Sequence, residues 1–195
     1  MQLKFLFAFL LFSAQVYSQL RDSVRIKTPI YEIIYSEKLE SPLWVKYEVL
    51  CTNGKASREN MDFYRCDSIH TSDDADYRDN EWDKGHMAPA AAFNCTPEML
   101  YRTFSYLNCA LQNQGLNRGA WKALEKQERE WAKTQVVFVT IEVKFDKSSQ
   151  VTQTGATIPS SLTKKIHLVH SKKKYAYSFP NKDPKGAKYS SFLVK

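Results

Sequence analysis

The chain has 195 residues, a formal net charge of +7, 43% hydrophobic residues and 25% charged residues. These values suit one globular domain with a sizeable core and exclude a disordered or low-complexity chain. Only 6 glycines occur, and no GxGxxG or GxxxxGK[ST] pattern is present, which excludes glycine-rich phosphate loops.

The chain opens on a leader. Lys4 precedes an unbroken apolar run over residues 5–12, and small or tolerated residues lead up to Ser18. This reads as an export signal over residues 1–18, with residues 19–195 as a single domain. The apolar run is too short to span a hydrocarbon core of ~30 Å, so no stable membrane association is expected after cleavage. Export implies a periplasmic or extracellular setting, where Cys51, Cys66, Cys95 and Cys109 read as disulfide partners. Proximity along the chain favours Cys51–Cys66 with Cys95–Cys109.

Residues 19–29 look like a polar lead-in. Residues 29–35 and 43–50 are rich in β-branched and aromatic residues and read as strands. Residues 55–80 are polar, and Ser72-Asp73-Asp74-Ala75-Asp76 reads as an exposed loop lacking the spacing of a calcium-binding EF-hand. Residues 82–93 run from a short extended segment to Pro89. Thr96-Pro97-Glu98 is a helix start, so a helix is expected over residues 97–105. Residues 106–111 look extended or irregular, and residues 116–134 form the clearest helix. Residues 136–145 and 155–158 read as strands, and residues 166–170 and 174–179 as a final hairpin across a basic turn. From residue 144 onward, eleven lysines face only Asp146 and Asp183. Such an excess suits a polyanion such as nucleic acid, although a solvated lysine face would look the same.

The long helix carries polar residues beside its apolar stripe. Trp121, Leu124, Glu128 and Trp131 recur at helical spacing, and Asn117 and Glu125 border them. An amide and a carboxylate there need partners, and a metal with its waters would satisfy both. Two plainer readings compete. Asn117 could be an N-cap, and Glu125 could pair on the surface with Arg118, Lys122 or Arg129. Upstream, His86 could act as a general base if Asp83 or a backbone group held its other nitrogen. A turn at Gly85 would bring Lys84 to the same phosphate. His70, His167 and His170 read as structural.

Asp83-Lys84-Gly85-His86, followed by Met87-Ala88-Pro89, resembles the Asp-Arg-Gly-His signature of the DNA/RNA non-specific endonucleases, the ββα-metal nucleases. Leu107-Asn108-Cys109 and the run from Leu116 to Glu125 resemble that family's second block, in order and at matching spacing. The resemblance spans roughly residues 43–180 and implies an α+β fold with a central, mostly antiparallel sheet flanked by helices. It implies a magnesium-dependent endonuclease acting on DNA and RNA with little sequence preference, with manganese as a possible substitute ion, and leaving 5′-phosphate ends. By position, His86 resembles the general base and Asn117 the direct metal ligand. Glu125 resembles the residue that reaches the metal through water, and Asn108 the one that positions histidine or substrate. Lys84 stands where the family has arginine, and with Arg118 is expected to meet the substrate's phosphates. Lysine offers a point charge instead of a planar fork, so it grips phosphate with less geometric control. A catalytically silent nucleic-acid binder and a phosphodiesterase on small nucleotides are the competing readings.

Overall fold

The computed structural model describes residues 20–194; the expected export segment lies outside them. Six strands form one antiparallel sheet in the order β1-β2-β3-β6-β7-β8. They are β1 (Val24–Lys27), β2 (Tyr31–Ser36), β3 (Ser41–Glu48), β6 (Val137–Lys144), β7 (Ser161–Leu168) and β8 (Lys173–Pro180). Alternation sets the faces. On β6, Val137, Val139, Ile141 and Val143 are buried, while Phe138, Thr140 and Glu142 between them are not. The supposed lead-in contains β1, whose Val-Arg-Ile-Lys alternation is too short to stand out by itself and gains its pairing from β2.

The second sheet has two antiparallel strands, β4 (Trp82–His86) and β5 (Cys109–Asn113), with His86 opposite Cys109 and Asp83 opposite Gln112. Between them sits α1 (Pro97–Arg102), capped by the Thr96 hydroxyl, which accepts from Met99 N–H at 3.2 Å. After β5 the chain turns into a long helical run: α2 (Gln114–Leu116), a π-helical segment (Asn117–Trp121) and α3 (Lys122–Ala132). The uniform helix expected from residue 116 is thus interrupted. Gly119 has φ −102° and ψ −109°, outside the helical region, and the turn widens there. The N-cap is Asn113, whose side-chain oxygen accepts from Gly115 and Leu116 N–H, and not Asn117.

Trp121 and Leu124 are fully buried against the sheet, with the Trp121 ring 5.5 Å from that of Phe179. Each contributes on the order of 2–3 kcal/mol by leaving water. This packing fixes α3 across the core and turns Asn117 and Glu125 toward β4.

Three other expectations are corrected. Residues 72–76 are not an exposed loop: Ser72 and Asp76 are buried, and residues Asp74–Tyr77 form a 3₁₀ turn capped by Asp73. The Asp76 carboxylate accepts from Thr152, Thr154 and Ala156 N–H, so it ties two distant loops together. That clasp holds residues 155–158 as a turn with one isolated bridge, Val151 to Thr157, in place of the expected strand.

The disulfide joins Cys51 to Cys95, while Cys66 and Cys109 are free. Backbone pairing overrides proximity. Cys51 N–H donates to Ala92 and Ala56 N–H to Asn94, zipping the two segments together. The approach is so close that a side chain at Gly54 would meet the Asn94 carbonyl oxygen at 2.2 Å. The Cys109 thiol points instead at the Tyr77 hydroxyl, 3.1 Å away. The bridge closes a separation of 44 residues. Replacing Cys51 and Cys95 by serine is therefore expected to cost about 2–4 kcal/mol, read as a lower urea midpoint.

Candidate active site

The two-stranded sheet and the following helix converge on a cleft of about 290 Å³. Arg58, Asp83, His86, Asn117, Arg118, Glu125 and Arg129 all line it. The sequence-predicted His86, Asn117, Glu125 and Arg118 are thus brought together. Lys84 and Asn108 stand outside the lining set.

β4 is a regular strand with no turn at Gly85. Lys84 and His86 are two apart and share a face, so the His86 ring and the Lys84 ammonium both meet Phe63. Gly85 is required for another reason: a side chain there would meet the Gln112 side chain at 2.5 Å and the Ala110 carbonyl at 3.0 Å. The His86 ring packs on Phe63 (4.8 Å between centroids) and edge-on to Phe104 (5.1 Å). Its Nε2 is sealed there without a hydrogen-bond partner. Burial, aided by the Arg58 guanidinium, pushes the imidazole down to about 3, so it is neutral at physiological pH.

Asp83 does not hold His86. Strand alternation turns it to the opposite face, where its carboxylate accepts from Asn117 Nδ2 (2.8 Å) and bidentately from Arg118 Nε (2.8 Å) and Nη2 (2.6 Å). The bond to Asn117 fixes the amide group, so its oxygen, an excellent ligand for a hard cation, is free of that contact. The expected substrate contact Arg118 therefore starts out paired with an acid.

Lys84 is held likewise. Its ammonium contacts Asp74 and lies 3.4 Å from Asp62, above the rings of Phe63 and Tyr106. Burial works against its charge, but the two carboxylates outweigh it and keep its pKa above the ordinary lysine value. Asn108 is fully buried, and its side chain bonds backbone alone. It accepts from Ala88 N–H (2.7 Å) and donates to the carbonyls of Ala88 (2.9 Å) and Thr103 (3.0 Å). It clamps the loop that leaves His86.

Glu125 is not a surface partner of Arg118, Lys122 or Arg129. Its side chain is 14% exposed, and the nearest ammonium is Lys164 from β7, at 3.8 Å. Burial pushes its carboxyl up to about 7, against the pull of Lys164. Behind it, Lys164 and Glu128 are fully buried and bonded at 2.9 Å, and the Tyr47 hydroxyl donates to Glu128 at 2.8 Å.

The donor set suits a hard divalent ion. Asn117 and Glu125, both oxygen donors, line one cleft, and among the described residues no group of three or more His, Cys, Asp or Glu gathers as a caged zinc would need. Sequence reading missed Arg58 and cast Arg129 only as a surface partner. Arg129 follows Glu125 by four residues on one helix face, a readable signal; Arg58 lies in a polar stretch without periodicity.

The family model described as DNA/RNA non-specific endonuclease matches residues 12–195. Mitochondrial Endonuclease G of Bos taurus is 34% identical over 115 residues, 56% of this chain and 38% of that protein. A nuclease of Serratia marcescens is 32% identical over 122 residues, 57% of this chain and 45% of that protein. The matches thus span less than half the length of these relatives. One chain in the crystal structure of an EndoG/EndoGI complex superposes with a TM-score of 0.78 at 27% identity, covering 88% of this chain and 80% of that one. With its β4–β5–helix unit and its match over nearly the whole length, the chain belongs to the DNA/RNA non-specific endonuclease family and has the ββα-metal nuclease fold.

Proposed function

We propose that this protein is an exported, magnesium-dependent endonuclease that hydrolyses phosphodiester bonds of DNA and RNA with little sequence preference. The observation that carries this reading is the convergence of His86, Asn117 and Glu125 on one cleft. The Cys51–Cys95 bridge supports an oxidising compartment, although Endonuclease G in Bos taurus is named as mitochondrial.

The neutral imidazole of His86 takes the proton of an attacking water. The water oxygen forms the new bond to phosphorus, and the bond from phosphorus to the 3′ oxygen breaks, leaving a 5′ phosphate and a 3′ oxygen that takes a proton from solvent water to become the hydroxyl. Of the two ring nitrogens, Nδ1 does this work, because Nε2 is sealed against the aromatic rings. Asn117 and Glu125 would hold Mg²⁺, with Mn²⁺ as a substitute; the ion would neutralise the phosphate and stabilise the leaving oxygen. Arg118 and Lys84 meet flanking phosphates by exchanging their carboxylate partners for substrate. Asn108 is a positioning residue, holding the backbone beside His86 through its three bonds. The chemistry lies at the backbone, so no base need be read.

Supercoiled plasmid and a structured RNA, each incubated with Mg²⁺ and with EDTA, test the reading. Both polymers are expected to be cut with Mg²⁺ alone, and Asn117→Ala to lose cutting and metal dependence together. Plasmid left intact but shifted on a gel would establish a silent binder. Faster turnover of a dinucleotide ester than of plasmid would establish a small-nucleotide phosphodiesterase.

A further inference from the structure

Behind the cleft lies a charged cluster that the proposed reaction does not use. Lys164 stands on β7 opposite Ile141 on β6 and Tyr177 on β8. Its ammonium has no exposure and lies 4.2 Å from the centre of the Trp121 ring. Two carboxylates answer it: Glu128 at 2.9 Å and Glu125 at 3.8 Å. Both acids come from α3, three residues apart on one face. Only Glu125 also lines the cleft. The arrangement is asymmetric, because the Tyr47 hydroxyl bonds Glu128 from the far side and fixes it facing Lys164.

A buried ammonium takes whichever carboxylate comes closest, because its desolvation is offset only by a close partner. Were Glu128 neutral, Lys164 would close onto Glu125 and occupy the oxygens that the cation needs. We infer that Glu128 is a positioning residue that holds Lys164 off Glu125, so that Glu125 keeps a free negative charge for the divalent ion. The inference rests on the assignment of Glu125 to metal binding. It assigns Glu128 and Tyr47 a duty toward that ion, although neither lines the cleft.

Mn²⁺ binding to the full chain without nucleic acid, measured at pH 8 by the loss of the free-ion paramagnetic signal, tests it. Glu128→Gln keeps the shape and the Tyr47 contact, and is expected to weaken Mn²⁺ binding at least tenfold. The double variant Glu128→Gln with Lys164→Met removes the ammonium as well, and is expected to bind within threefold of wild type. A packing role for Glu128 would not be rescued by a second change beside it. Tyr47→Phe removes only the hydroxyl and is expected to weaken binding about threefold, and serves if Glu128→Gln melts early. Glu128→Gln binding within twofold of wild type overturns the inference, as does a double variant no better than the single. A wild-type protein that binds no Mn²⁺ overturns the metal assignment itself, and this inference with it.

Discussion

Replacing His86 by alanine is expected to lower cleavage by about 10²–10⁴-fold, the range contributed by a positioned general base. The fold should survive. The ring leaves a gap between Phe63 and Phe104, but its sealed Nε2 goes too, and that atom had no partner. The net change in stability at pH 7 should be about 1–3 kcal/mol. A second signature reports the buried, neutral state of the ring. The folded imidazole stays neutral until about pH 3, whereas an unfolded one takes a proton near 6.5. Between those values the unfolded state binds the extra proton, so wild-type stability falls as the pH drops, by at most about 1.4 kcal/mol per unit from this group. His86→Ala should show a flatter decline. Urea midpoints from pH 7 to pH 4 measure the difference, and undiminished cleavage by the variant would remove His86 from the reaction.

Glu125→Gln is expected to abolish cleavage and at the same time to stabilise the metal-free protein at pH 8. The carboxyl's folded value of about 7 lies above the ordinary 4.5, because burial opposes its charge. Above pH 7 the folded state carries that unfavourable charge in full. As the pH falls through 7 toward 4.5 the folded state takes a proton that the unfolded one does not, and the penalty is relieved. Glutamine removes it at every pH. The expected gain is about 2–3 kcal/mol at pH 8, vanishing near pH 4.5, in melts run with EDTA. Mg²⁺ should then raise the melting point of wild type only. A variant no more stable than wild type at pH 8 would show that Glu125 is not strained by burial.

Much of this site was legible because its pieces are local. The Thr96 cap, the alternation of β6 and the stripe of Trp121 and Leu124 are short-range patterns that packing reinforces. The His86, Asn117 and Glu125 assignments came from two ordered motifs, and the cleft brings those residues together. What escaped depends on partners far along the chain. Cys51 meets Cys95 through a backbone zipper of residues 51–56 with 92–94 that no spacing rule announces. Asp76 looks like surface until Thr152 and Thr154 reach it. Lys164 reads as one more basic residue in a lysine-rich tail, yet it is buried because Glu128 waits 36 positions upstream. The error over Asp83 was of another kind: it stands three positions before His86 on a strand, so it faces the opposite side and serves the helix instead.

The widened turn at Gly119 has a consequence for how this protein tolerates change in length. Asn117 stands at the start of that turn and Glu125 well beyond it, so their relative phase is set by the number of residues that the loose coil absorbs. Deleting one residue at the turn would let it tighten into an ordinary helix with Glu125 nearly in its present phase, whereas deleting one within regular α3 ahead of Glu125 would swing that carboxylate by about 100° around the axis. A variant with a gap at the turn should therefore keep Asn117 and Glu125 together, and one with a gap inside α3 ahead of Glu125 should fold but no longer cut.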